Sequence, residues 1–484
     1  MHTNHSITKW EWSLSGFLLL MAGVLIFQDL GMEPLGYPDE LKSAERSTSF
    51  LTTGDWWAVH MNHEPNFNKP PLQYWCNALI YTIHPDKEFA IRLINGIFAW
   101  GVFALTLLLV WLMFTEEAQR KWIAPLAVYL LLLYGPFMEY ARIGILDMGA
   151  TFFSLLVLLA SQLSRQNPKW WLLAGLAGVL GTLQKTPLPF AIWGFLLILK
   201  AFQPQERTSL KSLWLWGSLI FGALLAGIWP VVQLIRFGDI YFDRYVVFEL
   251  TEMTKRDANL GPLTYIVWIS KKWFLFAPLA FVGLVWALFH SRLKDKNLPN
   301  HFLFECSVLT LTFLVIMSCL TGHSHRYIFP VLPLLSILAA WCMYKVLRRW
   351  ASHKYSLIAI ILLVSFPSLM TLHYHYNLKR HKYKPFVPVL NELADLNREK
   401  QLPLFLSFSD SLDRGNMTRL VRYYGEVEPA VTLLHEKDAL NQVRAITPPL
   451  LGLVSPDRIS HLREMDLKIE ELGASGGIHL IKIK

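Results

Sequence analysis

The sequence predicts an α-helical polytopic membrane protein with a small α/β domain outside the membrane at its carboxy terminus. Three observations carry that expectation. Hydrophobic residues make up 53% of the chain and charged residues only 17%, well below the roughly 25% charged of soluble domains. Apolar runs of spanning length recur from residue 14 to residue 372. After residue 379 the apolar runs shorten and alternate with helix-like stretches, the pattern of an α/β domain.

The net charge of +9 sits in short basic clusters between apolar runs. That distribution sets membrane orientation and argues against a nucleic-acid partner. Cys76, Cys306, Cys319 and Cys342 lie in apolar or membrane-adjacent sequence without ligand spacing, so no disulfide framework or thiolate metal site is expected.

Residues 14–30 form a first span near the lower length limit for a ~30 Å hydrocarbon core. Lys9 precedes it and no small-residue cleavage site follows, so it reads as an uncleaved helix. Residues 31–89 form a long polar outer loop, within which the run 71–83 is too short to span and is expected to be re-entrant or interfacial. Further spans are expected near 90–114, 122–138, 148–163, 170–184, 188–202, 212–235, 272–289, 302–320, 327–346 and 355–372, about eleven with the first.

With a cytoplasmic amino terminus, the clusters Arg120-Lys121, Arg165 with Lys169, Arg207 with Lys211, Arg292-Leu293-Lys294, and Arg348-Arg349 with Lys354 all fall inside. The first loop, the 138–148 turn, Gln184-Lys185-Thr186-Pro187, and the loops 236–271 and 321–327 then collect outside. The expected division is a transmembrane domain over 1–374 and a soluble domain over 375–484 on that same outer face. In the soluble domain, strands near 404–408, 450–454 and 478–483 alternate with helices near 387–400, 417–424, 438–446 and 456–465, which suggests a largely parallel sheet.

The polar residues of the outer loops carry the candidate chemistry. Asp39 and Glu40 follow Pro38 at the start of a helix-like stretch, where capping is the plain alternative to catalysis. Lys42 and Arg46 fall on nearly the same helical face as Asp39. A carboxylate beside cations is what glycosyl transfer from a phosphate needs: the cations neutralise the departing phosphate and the carboxylate takes the hydroxyl proton. Lys69, fixed by Pro70-Pro71, either meets such a phosphate or snorkels to headgroups.

Asp147 stands at the outer end of a span, where an acid requires solvent or a partner. Lys185 is similarly placed. Glu252 and Lys255 have the spacing of a helical ion pair, with Arg256 beside them. His323, His325, Arg326 and Tyr327 form a further cluster, which lacks a third metal ligand and suits phosphate or water.

Several ordered motifs resemble the GT-C type membrane glycosyltransferases, specifically the protein O-mannosyltransferase and lipid A aminoarabinose transferase superfamily, over about residues 10 to 350. They are Asp39-Glu40 with Lys42 and Ala44-Glu45, then Gly54-Asp55-Trp56, Lys69-Pro70-Pro71-Leu72-Gln73-Tyr74-Trp75, Arg92-Leu93 and Leu146-Asp147-Met148. The resemblance implies an inverting glycosyltransferase of the bacterial inner membrane, with its active site facing the periplasm. Its donor would be a polyprenyl-phosphate-linked sugar and its acceptor a lipid, glycan or protein.

By the same resemblance Asp39, Asp147 and Glu40 are the catalytic carboxylates, and Lys42, Lys69, Lys255 and Arg256 bind the donor phosphate. Tyr74, Lys185, His325, Arg326 and Tyr327 line the pocket. No cofactor is expected. Aminoarabinose transferases carry potential metal ligands where this chain has Asn68 and, after Glu249, Leu250, so zinc is not expected there. Lys42 replaces the usual arginine and loses its bidentate fork. A multispan transporter or flippase of lipid-linked glycans and an oligosaccharide polymerase or ligase are the alternatives. The first would place its polar groups near the bilayer midplane, and the second would take a diphosphate-linked oligosaccharide.

Overall fold

The computed structural model describes residues 9–350 and 384–484, apart from 85, 205, 248–260, 262, 274, 291–297, 321–323, 408–413, 428, 430, 433–448 and 465–466. The expected span at 355–372, the domain boundary at 374–375 and the helix at 438–446 lie outside the described residues. Every other expected span falls on helix, and the chain is a multi-pass membrane protein.

The helices are α1 (Lys9–Phe27), α2 (Pro38–Thr53), α3 (Leu72–Ile83), α4 (Lys87–Met113), α5 (Glu117–Leu132), α6 (Gly135–Ala141), α7 (Asp147–Leu163), α8 (Trp171–Gln184), α9 (Leu188–Phe202) and α10 (Leu213–Phe237). Beyond a short helical segment at Asp239–Tyr241 come α11 (Thr264–Lys272), α12 (Ala277–His290), α13 (Leu298–Cys319) and α14 (Leu332–Trp350). Four described stretches are long and apolar enough to cross a membrane: Lys87–Met113, Leu213–Phe237, Leu298–Cys319 and His325–Arg348.

The run expected as one span over 122–138 is instead broken, with α5 and α6 meeting at a bend of 75°. The break falls before Gly135-Pro136, where the proline supplies no backbone donor to continue the α5 ladder. The short run 71–83 is indeed a separate helix, α3.

Pro38 at its first position and Asp39 and Glu40 in its first turn start α2, and Gly54 ends it in the left-handed region at φ 69°. The chain then makes a small antiparallel hairpin, β1 (His60–Met61) with β2 (Glu64–Pro65). Asn62 and His63 both take positive φ, the requirement of a type I′ turn. The Gly-Asp-Trp motif fastens this loop to α10: Asp55 grips Arg236 with contacts of 2.9 and 2.7 Å, while the Trp57 carbonyl accepts from Trp229 and Gln233.

The carboxy-terminal domain has β3 (Leu404–Ser407), β4 (Val431–Thr432), β5 (Leu450–Val454), β6 (Ile469–Ser475) and β7 (Ile478–Ile483) in the order β4-β3-β5-β7-β6. Its helices are α15 (Val387–Lys400), α16 (Arg414–Tyr424) and α17 (Pro456–Glu464). The expected largely parallel sheet is corrected to a mixed one. The β4-β3-β5 pairs are parallel, but β7 runs antiparallel to both β5 and β6. Gly476 and Gly477, both at positive φ, turn β6 directly into β7.

Strand β5 is buried along its whole length, so Leu451 and Leu453 enter one apolar cluster while Leu450 and Val454 enter another on the opposite face. The first cluster continues into the membrane domain. There Met417, Leu420 and Val421 of α16 share a core with Leu35, Leu41, Ala44 and Ile91. The Tyr424 hydroxyl accepts from the Leu35 amide at 2.8 Å, the Tyr81 and Tyr423 hydroxyls meet at 2.7 Å, and Lys87 pairs with Glu426. The domain therefore clamps the amino-terminal half of α2.

Candidate active site

Asp39, on the first turn of α2, faces one cavity of about 430 Å³. Lys42 lies one turn further along and donates to Asp39 Oδ1 at 3.2 Å. From the short 3₁₀ segment His325–Val331 ahead of α14, Arg326 reaches the other oxygen, with Nη2 2.6 Å from Asp39 Oδ2. Burial pushes the Asp39 carboxyl up, but the Arg326 and Lys42 charges outweigh it and hold its pKa at about 2.

Asp147 opens α7, where the positive end of the helix favours a carboxylate. Its Oδ1 lies 2.5 Å from Lys185 Nζ, and its Oδ2 is 3.9 Å from Arg326 Nη1. The Lys185 ammonium also stands 5.3 Å from the centre of the Tyr327 ring. The Asp147 side chain is only 4% exposed against 39% for Asp39, so Asp39 is the carboxylate open to the cavity.

Buried amides fix the turn that carries Asp147. Gln73 donates to the Ile145 carbonyl at 2.9 Å, Gln184 donates to Gln73 at 2.5 Å and to the Leu146 carbonyl at 3.2 Å, and Asn95 donates to the carbonyls of Tyr140 and Ile143. A Cβ on Gly149 would come within 2.4 Å of the Gln184 amide, so a side chain there would have to displace Gln184 from these bonds.

Asn68, Lys69 and Tyr74 also line the cavity, as do Ser43, Arg46 and Thr186. Leu188, Phe313, Met317, Leu320 and Pro330 form an apolar wall beside the charged one. Arg46 donates to the Tyr74 hydroxyl at 3.0 Å, and both side chains are buried. Burial pushes the Tyr74 hydroxyl above its ordinary value, so it stays neutral.

Of the residues expected at the site, Asp39, Lys42, Lys69, Tyr74, Asp147, Lys185, Arg326 and Tyr327 are brought together. Lys255, Arg256, Glu249, Leu250, Glu252 and His323 lie outside the described residues. His325 is absent from the cavity wall and packs on Trp268, with ring centres 3.9 Å apart.

Glu40 is the clear correction. It turns away from the cavity and accepts from Arg92 at 2.7 and 3.2 Å, from the Gly144 amide at 3.0 Å and from the Gly36 amide at 3.1 Å. Arg92 also donates to the carbonyls of Leu30, Glu33 and Pro34. This saturated, fully buried pair knots the entry to α2 onto α4 and the turn before α7. The reason is angular: consecutive residues on a helix point about 100° apart, so only one of two adjacent acids can face the cavity.

Arg46, expected on the Asp39 face of the helix but not among the residues assigned to the site, also lines the cavity. Its spacing of four from Lys42 was the available signal. Among the described residues no group of three or more histidine, cysteine or acidic side chains is arranged to hold a metal.

Residues 68–232 match the family model of dolichyl-phosphate-mannose-protein mannosyltransferases. Over 348 residues, 68% of this chain, the sequence is 27% identical to an undecaprenyl phosphate-alpha-4-amino-4-deoxy-L-arabinose arabinosyl transferase of Pectobacterium carotovorum, and it spans 58% of that relative's length. An uncharacterized Aquifex aeolicus protein is 27% identical over 405 residues, 81% of this chain and 76% of the relative. Among solved structures, ArnT of Cupriavidus metallidurans bound to undecaprenyl phosphate has a TM-score of 0.69 at 16% identity, covering 97% of this chain and 98% of the neighbour. These matches bear out the resemblance to the GT-C superfamily, and the last of them shows the shared fold.

Proposed function

We propose that this chain is an inverting glycosyltransferase that moves a sugar from a polyprenyl phosphate to a hydroxyl of a lipid, glycan or protein acceptor, at the periplasmic face of the inner membrane. The observation that carries the reading is the single cavity in which Asp39 and Asp147 share Arg326, with Lys42 and Lys185 bound to them. The resemblance to undecaprenyl-phosphate-dependent transferases supports the donor class.

In this reading the acceptor hydroxyl attacks the anomeric carbon from the side opposite the phosphate. The new carbon–oxygen bond forms as the bond from that carbon to the phosphate oxygen breaks, and the configuration inverts. The hydroxyl proton passes to Asp39, the carboxylate open to the cavity. Arg326, Lys42, Lys69 and Lys185 meet the charge that develops on the leaving polyprenyl phosphate. Asp147 acts through its partners, holding Lys185 and Arg326 in place. The apolar wall of Phe313, Met317 and Leu320 suits the isoprenoid end of the donor.

The test is release of polyprenyl phosphate from defined polyprenyl-phosphate sugars by purified protein. Asp39→Asn should lower release by about 10²-fold to 10⁴-fold while the protein stays folded. Normal turnover in that variant would remove Asp39 from its role. Impermeant labelling of cysteines introduced beside Asp39 and Asp147 tests the orientation, since both must react from the periplasmic side.

A further inference from the structure

Lys42, Lys185 and Arg326 each bind a carboxylate in the cavity, and Lys69 makes contacts of its own. Arg46 differs. It is 7% exposed and lines the cavity, yet its polar contact is the neutral Tyr74 hydroxyl at 3.0 Å, and its guanidinium lies 5.7 Å from the centre of that ring. Its Nε is buried without a hydrogen-bond partner among the described residues. A buried cation that pairs with no carboxylate among the described residues is costly, and such a charge is expected to meet its counter-ion in the working complex.

The charges of the transfer centre point the same way. Lys42, Lys69, Lys185 and Arg326 stand against Asp39 and Asp147, so one donor phosphodiester still leaves the cavity with an excess of positive charge. The Arg46 charge adds to that excess. It sits seven residues beyond Asp39 on α2, roughly 10 Å along the helix axis, about the reach of a substituent on a sugar bound at the centre.

We propose that Arg46 and Tyr74 form a second anion subsite beside the transfer centre, which receives an oxyanion carried by a substrate in addition to the donor phosphate. The inference rests on the transferase reading and narrows its substrate class. A carboxylate or phosphate suits the guanidinium, whose planar fork binds such groups in a bidentate manner. Two sources offer that chemistry: an acidic sugar on the donor, or a phosphate on the acceptor. The site adds nothing for a cationic sugar, because each carboxylate of the cavity is already bound to cations.

The experiment uses the full chain in nanodiscs and two matched pairs of ligands. The donors are an undecaprenyl-phosphate hexose and the corresponding uronic acid; the acceptors are one glycolipid with and without a phosphate. Dissociation constants are read by tryptophan fluorescence, so the measurement does not depend on turnover.

The protein should favour the anionic member of at least one pair by about tenfold or more, and the pair that responds identifies the source. Arg46→Gln should bring that ratio close to one. Arg46→Lys, which keeps charge and stem, should retain part of it and serves where the glutamine variant does not fold. Equal binding within both pairs, or a preference that survives in Arg46→Gln, overturns the subsite. Release of polyprenyl phosphate alongside flat binding ratios would sink the subsite alone, whereas no release from any donor would sink the transferase reading and leave the binding ratios to decide the subsite.

Discussion

Arg326 stands between Asp39 and Asp147, with Nη2 2.6 Å from the first carboxylate and Nη1 3.9 Å from the second. One guanidinium thus gathers acids from α2 and α7 with a residue that precedes α14. Removing it leaves two carboxylates facing each other across the cavity and removes a cation from the path of the leaving phosphate. Arg326→Gln should lower kcat for polyprenyl phosphate release by about 10²-fold to 10³-fold. Arg326→Lys should recover little, since a point charge lacks the fork that reaches both acids. A glutamine variant working within a few-fold of the parent would show that Arg326 only braces the fold.

The depressed pKa of Asp39 has a pH signature. Its folded value of about 2 lies below the ordinary 3.8, so the ionised carboxylate adds stability that is fully present above about pH 4 and is lost as pH falls toward 2. Thermal unfolding of the parent and of Asp39→Asn, followed from pH 7 to pH 2, should show a constant gap down to about pH 4 that closes below it. A gap that closes already between pH 7 and 5 would mean that Arg326 and Lys42 do not hold the carboxylate in solution.

Glu40 makes the opposite prediction to its neighbour. Glu40→Gln leaves Arg92 buried without its anion and should cost about 3–5 kcal/mol of stability, read by denaturation in detergent. Replacing both, as Glu40→Gln with Arg92→Met, should return part of that loss because no unpaired charge remains. The dissociation constant of the donor should change little among molecules that remain folded. A stable Glu40→Gln protein that has lost turnover would restore Glu40 to the chemistry.

What could be read from the sequence was whatever depends on local pattern. The helical runs, the separate helix at 71–83 and the strands at 404–407, 450–454 and 478–483 follow from length, periodicity and turn residues. Partners chosen by tertiary packing were out of reach. The motif residues Glu45 and Asp55 were visible, but not that Glu45 accepts from the Asn62 amide at 2.8 Å while Asp55 grips Arg236. The Gly476-Gly477 pair carried the signal for an antiparallel hairpin, yet the alternation of strands and helices before it suggested a largely parallel sheet. Arg46 shows the limit at the site: its helical face was legible, and the Tyr74 hydroxyl that turns it into a buried cavity cation was not.

The docking of the carboxy-terminal domain gives the final prediction. Leu420 is fully buried where α16 meets Leu41 and Ala44 of α2, so Leu420→Ala opens a cavity beside the helix that carries Asp39, Lys42 and Arg46. It should cost about 2–5 kcal/mol, and Tyr424→Phe, which deprives the Leu35 amide of its acceptor, about 1–3 kcal/mol. Because α2 presents three charged groups to the cavity from one face, loosening it should lower kcat as well as stability, although Leu420 does not line the cavity. Hydrogen exchange of α2 amides, measured beside turnover, separates the two effects. Faster exchange with reduced kcat in Leu420→Ala is the expected result. Unchanged exchange and turnover would mean that α2 holds its geometry without the domain packed against it.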